Sequence, residues 1–181
     1  KLINPREGFY EIDPIKNWWQ GFLKICKTMN EIIDLKKIDA ICISSLCGTF
    51  VPVDKNINPL YNAILYGIDK RSSKWVEKLN KEIGITTIKN KLGSKFTTHS
   101  IIPKILWLKE NENAVYKKTS FFVASNNFIS ARLTGNTSWD YPTAAGSQLI
   151  NIKDKALPIN IFDKYNIDNK KIPKFKWPTS I

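Results

Sequence analysis

Residues 39–71 alternate short apolar runs with turn-forming residues, and that spacing favours buried strands over helices. Residues 40–43, Ala-Ile-Cys-Ile, are apolar and partly β-branched. They leave through Ser44-Ser45, so a buried strand is expected there, ending at a small-residue loop over 44–48. Residues 50–54 and 62–66 read as the two strands of a hairpin, joined across 55–59 by Asn and Pro residues that favour a turn. The hairpin returns Tyr66, Asp69 and Arg71 toward the 44–48 loop. Loops at strand ends are where α/β folds keep their sites, so this stretch is the candidate functional region.

The chain has 181 residues, enough for one domain with a sizeable core, and 43% hydrophobic with 12% aromatic residues describes a globular protein. No apolar run approaches the roughly 20 residues that span a bilayer, and the first residues show no leader pattern. A soluble, cytoplasmic protein is expected. The net charge of +12 would suit a polyanion, but the positive residues are nearly all Lys and are scattered, with Arg only at Arg6, Arg71 and Arg132. Solvated lysines explain it better than a nucleic-acid face. Cys26 and Cys42 lie in apolar runs and are expected as buried free thiols, whereas Cys47 sits in the candidate loop; no pair has metal-type spacing.

Taken in order, residues 9–12 read as a strand, and Asp13-Pro14 as an N-cap followed by Pro in the first helical turn. Trp18, Phe22, Ile25, Met29, Ile32 and Ile33 then recur at helical spacing, predicting an amphipathic helix to about Asp34 with Trp18-Trp19 packing at its rim. Ser72-Ser73 opens a helix that should stop near Gly84, and residues 85–95 are assigned to loop. Helices are expected over 99–109, 112–118, 126–133 and 158–165, and strands over 121–123 and 149–152. Asp140, before Tyr141-Pro142, reads as a turn or capping residue.

These pieces, in this order, resemble the amino-terminal domain of the FGGY carbohydrate kinases, the group that includes xylulokinase and glycerol kinase. The resemblance rests on Glu11, Asp13, Pro14, Trp18 and Trp19, on the strand, loop and hairpin of 40–71, and on Lys104-Ile105-Leu106-Trp107-Leu108 with Glu110-Asn111. It continues through residues 122–135, Asp140-Tyr141-Pro142-Thr143-Ala144-Ala145, and Lys171-Ile172-Pro173 followed by Ser180. It implies an α/β domain of the ribonuclease-H-like, actin-like ATPase class, with a mixed sheet flanked by helices and the 50–66 hairpin inserted after the 40–43 strand, beside 121–123. Residues 1–181 would be a partial amino-terminal, substrate-binding domain whose first two strands and carboxy-terminal nucleotide-binding lobe are absent.

The resemblance further implies an ATP-dependent kinase acting on a hydroxyl of a ketopentose, xylulose-like, or a related sugar or polyol. Such transfer needs an acceptor site, a base, a phosphate cradle and Mg²⁺. Only the acceptor half is visible; the family's base would follow residue 181, so this piece alone would be inactive with no ATP or Mg²⁺ of its own. The implied substrate-binding residues are Cys47, Gly48, Tyr66, Asp69, Arg71 and His99. Tyr66 would stack on a sugar, Asp69 and Arg71 would bond hydroxyls, and His99 falls where glycerol kinase has a substrate-contacting Tyr. The alternative readings are a core aromatic, a surface ion pair and a structural histidine.

Departures from the family pattern are Leu46, Cys47 and Gly48 in place of the Gln-Met-His of xylulokinases, and one extra residue between Tyr66 and Asp69. An unpaired edge at residues 9–12 would favour a homodimer. A second reading of the whole chain is a non-catalytic module of the same fold that holds a partner or polyanion through its lysines.

Overall fold

The computed structural model describes residues 1–179; Ser180 lies outside them. Its principal sheet has four strands, β1 (Glu11–Ile12), β2 (Phe50–Val53), β3 (Ala63–Ile64) and β4 (Phe121–Ala124), in the order β1-β3-β2-β4. Every pairing in it is antiparallel. Phe50 faces Ile64 across the hairpin, and residues 50–53 pair with residues 124–121.

Side chains alternate across these strands as pleating requires, and both faces are buried. Phe50, Ile64, Phe122 and Ala124 enter one core with helices α2 (Ser73–Ile83), α3 (Ile85–Leu92), α4 (Ile101–Asn111) and α5 (Asn113–Lys118). Val51, Val53, Ala63 and Val123 enter a second, against Phe128 and Ala131 of α6 (Ser125–Thr134) and against Trp18, Trp19 and Phe22. The last three come from a π-helical turn over Pro14–Trp19 and the α-helix α1 (Gln20–Asn30) that continues it. Asp13 caps this turn by accepting from the backbone N–H groups of Ile15 and Lys16 at 2.9 Å, as the Asp-Pro pair foretold. A short parallel pair, β5 (Trp139–Asp140) with β6 (Phe175–Lys176), and helices α7 (Tyr141–Gly146) and α8 (Ile159–Lys164) complete the chain.

Four local expectations need correction. Residues 40–43 form no strand: Ile41 is 56% exposed and Cys42 is exposed, because no strand among the described residues pairs with them. The sheet is consequently not one mixed sheet; its four strands are antiparallel, the parallel pair stands apart, and β4 neighbours β2 rather than 40–43. Residues 85–95 hold a helix instead of a loop. Gly84, at φ +89°, lets the chain break and restart, Ile88 and Leu92 bury one face, and Gly93 closes it in the left-handed region. Residues 149–152 make only an Asn151–Ala156 bridge.

The outer edge of β1 is also less open than expected, since Ile3 and Glu11 exchange both backbone hydrogen bonds at 2.9 Å. Helix α1 is amphipathic, yet Leu23, Ile25 and Met29 on it are exposed, and Cys26 is only half-buried. Among the described residues no helix is long and apolar enough to cross a membrane.

Candidate functional site

The 44–48 loop enters β2 at the same end of the sheet from which Tyr66 leaves β3, because the hairpin is antiparallel. The loop is tied to α6 and α7. The Ser45 hydroxyl accepts from the Asn126 backbone N–H at 3.1 Å and lies 2.8 Å from the Ser125 hydroxyl. Cys47 Sγ donates to the Thr143 carbonyl at 3.3 Å and lies 3.1 Å from the Ser147 hydroxyl, which also accepts from the Gly48 N–H at 3.2 Å. Gly146 packs so closely that a Cβ there would sit 2.9 Å from that sulfur.

Glycine is required at position 48. Its φ is +79°, and an added Cβ would fall 2.5 Å from the His99 carbonyl oxygen and under 3 Å from the His99 ring. The imidazole therefore lies against the loop, with Gly67 on its other side, and Thr98 Oγ1 secures that wall by donating to the Gly67 carbonyl at 2.8 Å. Burial, and then the nearby charge of Lys104, hold the His99 pKa below its ordinary value. At neutral pH the ring is uncharged, with one donor and one acceptor nitrogen.

Tyr66 is half-buried and lines a cavity of about 140 Å³ with Ile12, Trp18, Ser45, Leu46, Thr49 and Ser125. The structure thus brings Cys47, Gly48 and His99 together, and places Tyr66 on the neighbouring side of the same loop. Ser125 and Ser147, which bond to this loop, lie outside the stretch that the sequence marked. Their signal is slight, a small hydroxyl at a strand or helix end, and it is meaningful only once the loop's position is known.

Asp69 and Arg71 do not open onto this region, which corrects the expectation that they bond hydroxyls directly. Both side chains are fully buried, and their hydrogen-bonding capacity is largely taken by the protein. Arg71 Nε donates to both Asp69 oxygens at 2.9 and 3.0 Å, and Nη2 donates to Asp69 at 2.9 Å and to Glu11 at 2.8 Å. Asp69 also accepts from the Tyr10 N–H at 2.7 Å, and Glu11 from the Asn62 amide at 2.9 Å. The guanidinium lies 4.4 Å from the Phe9 ring and 4.8 Å from the Trp107 ring. Burial alone lowers the Arg71 pKa, but hydrogen bonds and charge from Asp69, then Glu11, outweigh it and hold the group above its usual value.

Asp140 is the cap that the sequence suggested: it accepts from the Thr143 N–H at 2.8 Å and from the Asn126 amide at 2.9 Å. Among the described residues no three His, Cys, Asp or Glu side chains group as a metal site.

The profile of the amino-terminal domain of the FGGY family of carbohydrate kinases matches residues 1–181. Xylulose kinase of Lactococcus lactis is 31% identical over 179 residues, covering 96% of this chain and 34% of that protein. Glycerol kinase of Thermococcus kodakarensis is 29% identical, covering 95% and 35%. Among solved structures, ligand-bound xylulose kinase from Lactobacillus acidophilus superposes with a TM-score of 0.89 at 27% identity, over 99% of this chain and 36% of that one. Glycerol kinase of Plasmodium falciparum with ADP gives 0.84 at 26% identity, over 97% and 37%. The chain spans about a third of the length of these relatives. The α/β fold is that of the ribonuclease-H-like, actin-like ATPases, and the chain belongs to the FGGY family of carbohydrate kinases, matching its amino-terminal domain.

Proposed function

We propose that the protein carrying this domain transfers phosphate from ATP, with Mg²⁺, to a hydroxyl of a ketopentose such as xylulose or of a related polyol. This domain supplies the acceptor side. The observation that carries the reading is the convergence of the 44–48 loop, Tyr66 and His99 at one end of β2 and β3 in a member of a carbohydrate-kinase family.

Tyr66 offers an aromatic face to the C–H side of a sugar, and the neutral His99 offers a donor or acceptor to a hydroxyl. Gly48 keeps the loop backbone free of a side chain where the histidine seats, and Cys47 anchors the loop from below through Thr143 and Ser147. Asp69 and Arg71 contribute indirectly: by locking to Glu11 they hold the chain just beyond Tyr66 against β1. Fixing the acceptor in this way lowers the entropic part of the barrier, whereas proton removal and phosphate stabilisation need groups outside these residues. The 181-residue chain by itself is accordingly proposed to be inactive.

The test is ADP release by the protein carrying this domain, with ATP, Mg²⁺ and a panel of D-xylulose, D-ribulose, glycerol and D-glucose. Turnover with a ketopentose or polyol is expected, and Tyr66→Ala should raise that acceptor's KM at least tenfold. No turnover with any member, together with salt-sensitive binding of a nucleic acid, would replace the kinase reading by the polyanion-binding module.

A further inference from the structure

Strands β2 and β3 stop pairing at Phe50 and Ile64. Extending that antiparallel register would set Gly48 opposite Tyr66. A lysine occupies the gap instead. From α4, Lys104 Nζ donates to the Gly48 carbonyl at 2.5 Å and to the Leu65 carbonyl at 2.6 Å, with the whole residue at 0% exposure. Among the described residues it forms no ion pair.

We propose that Lys104 is a positioning residue for the acceptor site, setting the distance between the 44–48 loop and Tyr66 by holding the two strand ends apart at a fixed gap. The inference rests on the kinase reading above.

Burying an amine in a core is costly unless its N–H groups are met, and an apolar side chain could fill the same volume. Here two carbonyls each accept from the amine, and no carboxylate is within ion-pairing distance. Burial pushes the lysine down to about 7; the charge of Asp69 opposes this, Arg71 reinforces it and Cys47 opposes it weakly. The two acceptors are also specific in place. Gly48 seats the His99 ring, and Leu65 immediately precedes Tyr66 and lines the same cavity. Because His99 lies just before α4 and Lys104 within it, one helix start carries both a site side chain and the clamp that spaces the others.

The experiment uses the complete protein and steady-state kinetics on D-xylulose and glycerol. Lys104→Met keeps the length and apolar stem but removes both donors. The acceptor KM should rise at least tenfold, while kcat and the KM for ATP stay within threefold. An unchanged acceptor KM would overturn the inference, as would a parallel loss in kcat and both KM values, the mark of a purely structural role. Lys104→Gln, whose amide again presents two N–H donors, should recover part of the lost acceptor affinity; equal loss in both variants counts against the inference. Where the Met variant does not fold, the Gln variant is compared with the unmutated protein by the same split of KM against kcat, and an unchanged acceptor KM overturns the inference. If the unmutated protein phosphorylates neither acceptor, the kinase reading fails and this inference falls with it. If it turns over normally and the split is absent, the inference alone fails.

Discussion

Replacing Arg71 with Met should reveal whether the Asp69–Arg71 pair belongs to the architecture or to ligand recognition. The substitution preserves most of the apolar stem between Phe9 and Trp107 but removes every guanidinium hydrogen bond. Two carboxylates then remain buried. Asp69 keeps its bonds from the Tyr10 and Arg71 backbone N–H groups, and Glu11 keeps only the Asn62 amide among its side-chain partners. Breaking a buried pair by deleting one partner costs about 3–5 kcal/mol, a large part of the roughly 5–15 kcal/mol that a domain possesses. At about 2–4 °C per kcal/mol for a chain of this size, the melting temperature should fall by roughly 6–20 °C. Thermal unfolding of the 181-residue chain, followed by circular dichroism at pH 7, measures it. Adding Asp69→Asn and Glu11→Gln to Arg71→Met should restore part of the loss, since no buried charge is left uncompensated. A loss below about 1 kcal/mol would refute the reasoning, because that is what an exposed ion pair contributes.

Two further outcomes follow from single positions. Gly48→Ala should destabilise the chain by at least about 1–2 kcal/mol from its left-handed backbone alone. The overlap with the His99 carbonyl should also shift the His99 ring resonances, readable by NMR. Lys104 should impose a pH dependence, since its folded pKa of about 7 lies below the unfolded value of 10.5. Between those values the unfolded chain holds a proton that the folded chain has released, so stability should rise with pH above 7 toward 10.5 and decline as pH falls through 7. The slope approaches about 1.4 kcal/mol per unit. Lys104→Met should flatten it in urea titrations at successive pH values; a persistent slope would assign the effect to other groups.

What was legible in the sequence is what neighbours along the chain decide. The hairpin of β2 and β3, the Asp13-Pro14 cap, the helix stops at Gly84 and Gly135 and the cap at Asp140 each depend on residues within one or two turns, and each was recoverable from local chemistry. Residues 40–43 have the composition of a strand, but β-propensity describes fit to a pleated neighbour, and without a pairing partner residues 40–42 are exposed and only Ile43 packs against a core. The site shows the same division more sharply. Tyr66, His99 and Gly48 were singled out by the family resemblance, and the structure brings the 44–48 loop, His99 and the neighbouring Tyr66 to one end of β2 and β3, yet which way a charged side chain turns is settled by residues far along the chain. Arg71 turns inward because Glu11, 60 positions away, and the Phe9 and Trp107 rings receive it there. Lys104 turns inward because two carbonyls, 39 and 56 positions away, lack other partners at the end of a strand ladder. The apolar run around Lys104 and the family pattern around Arg71 set these two apart from the solvated lysines of this basic chain, but their partners, and so the polar skeleton of the site, become readable only after the backbone has closed around them.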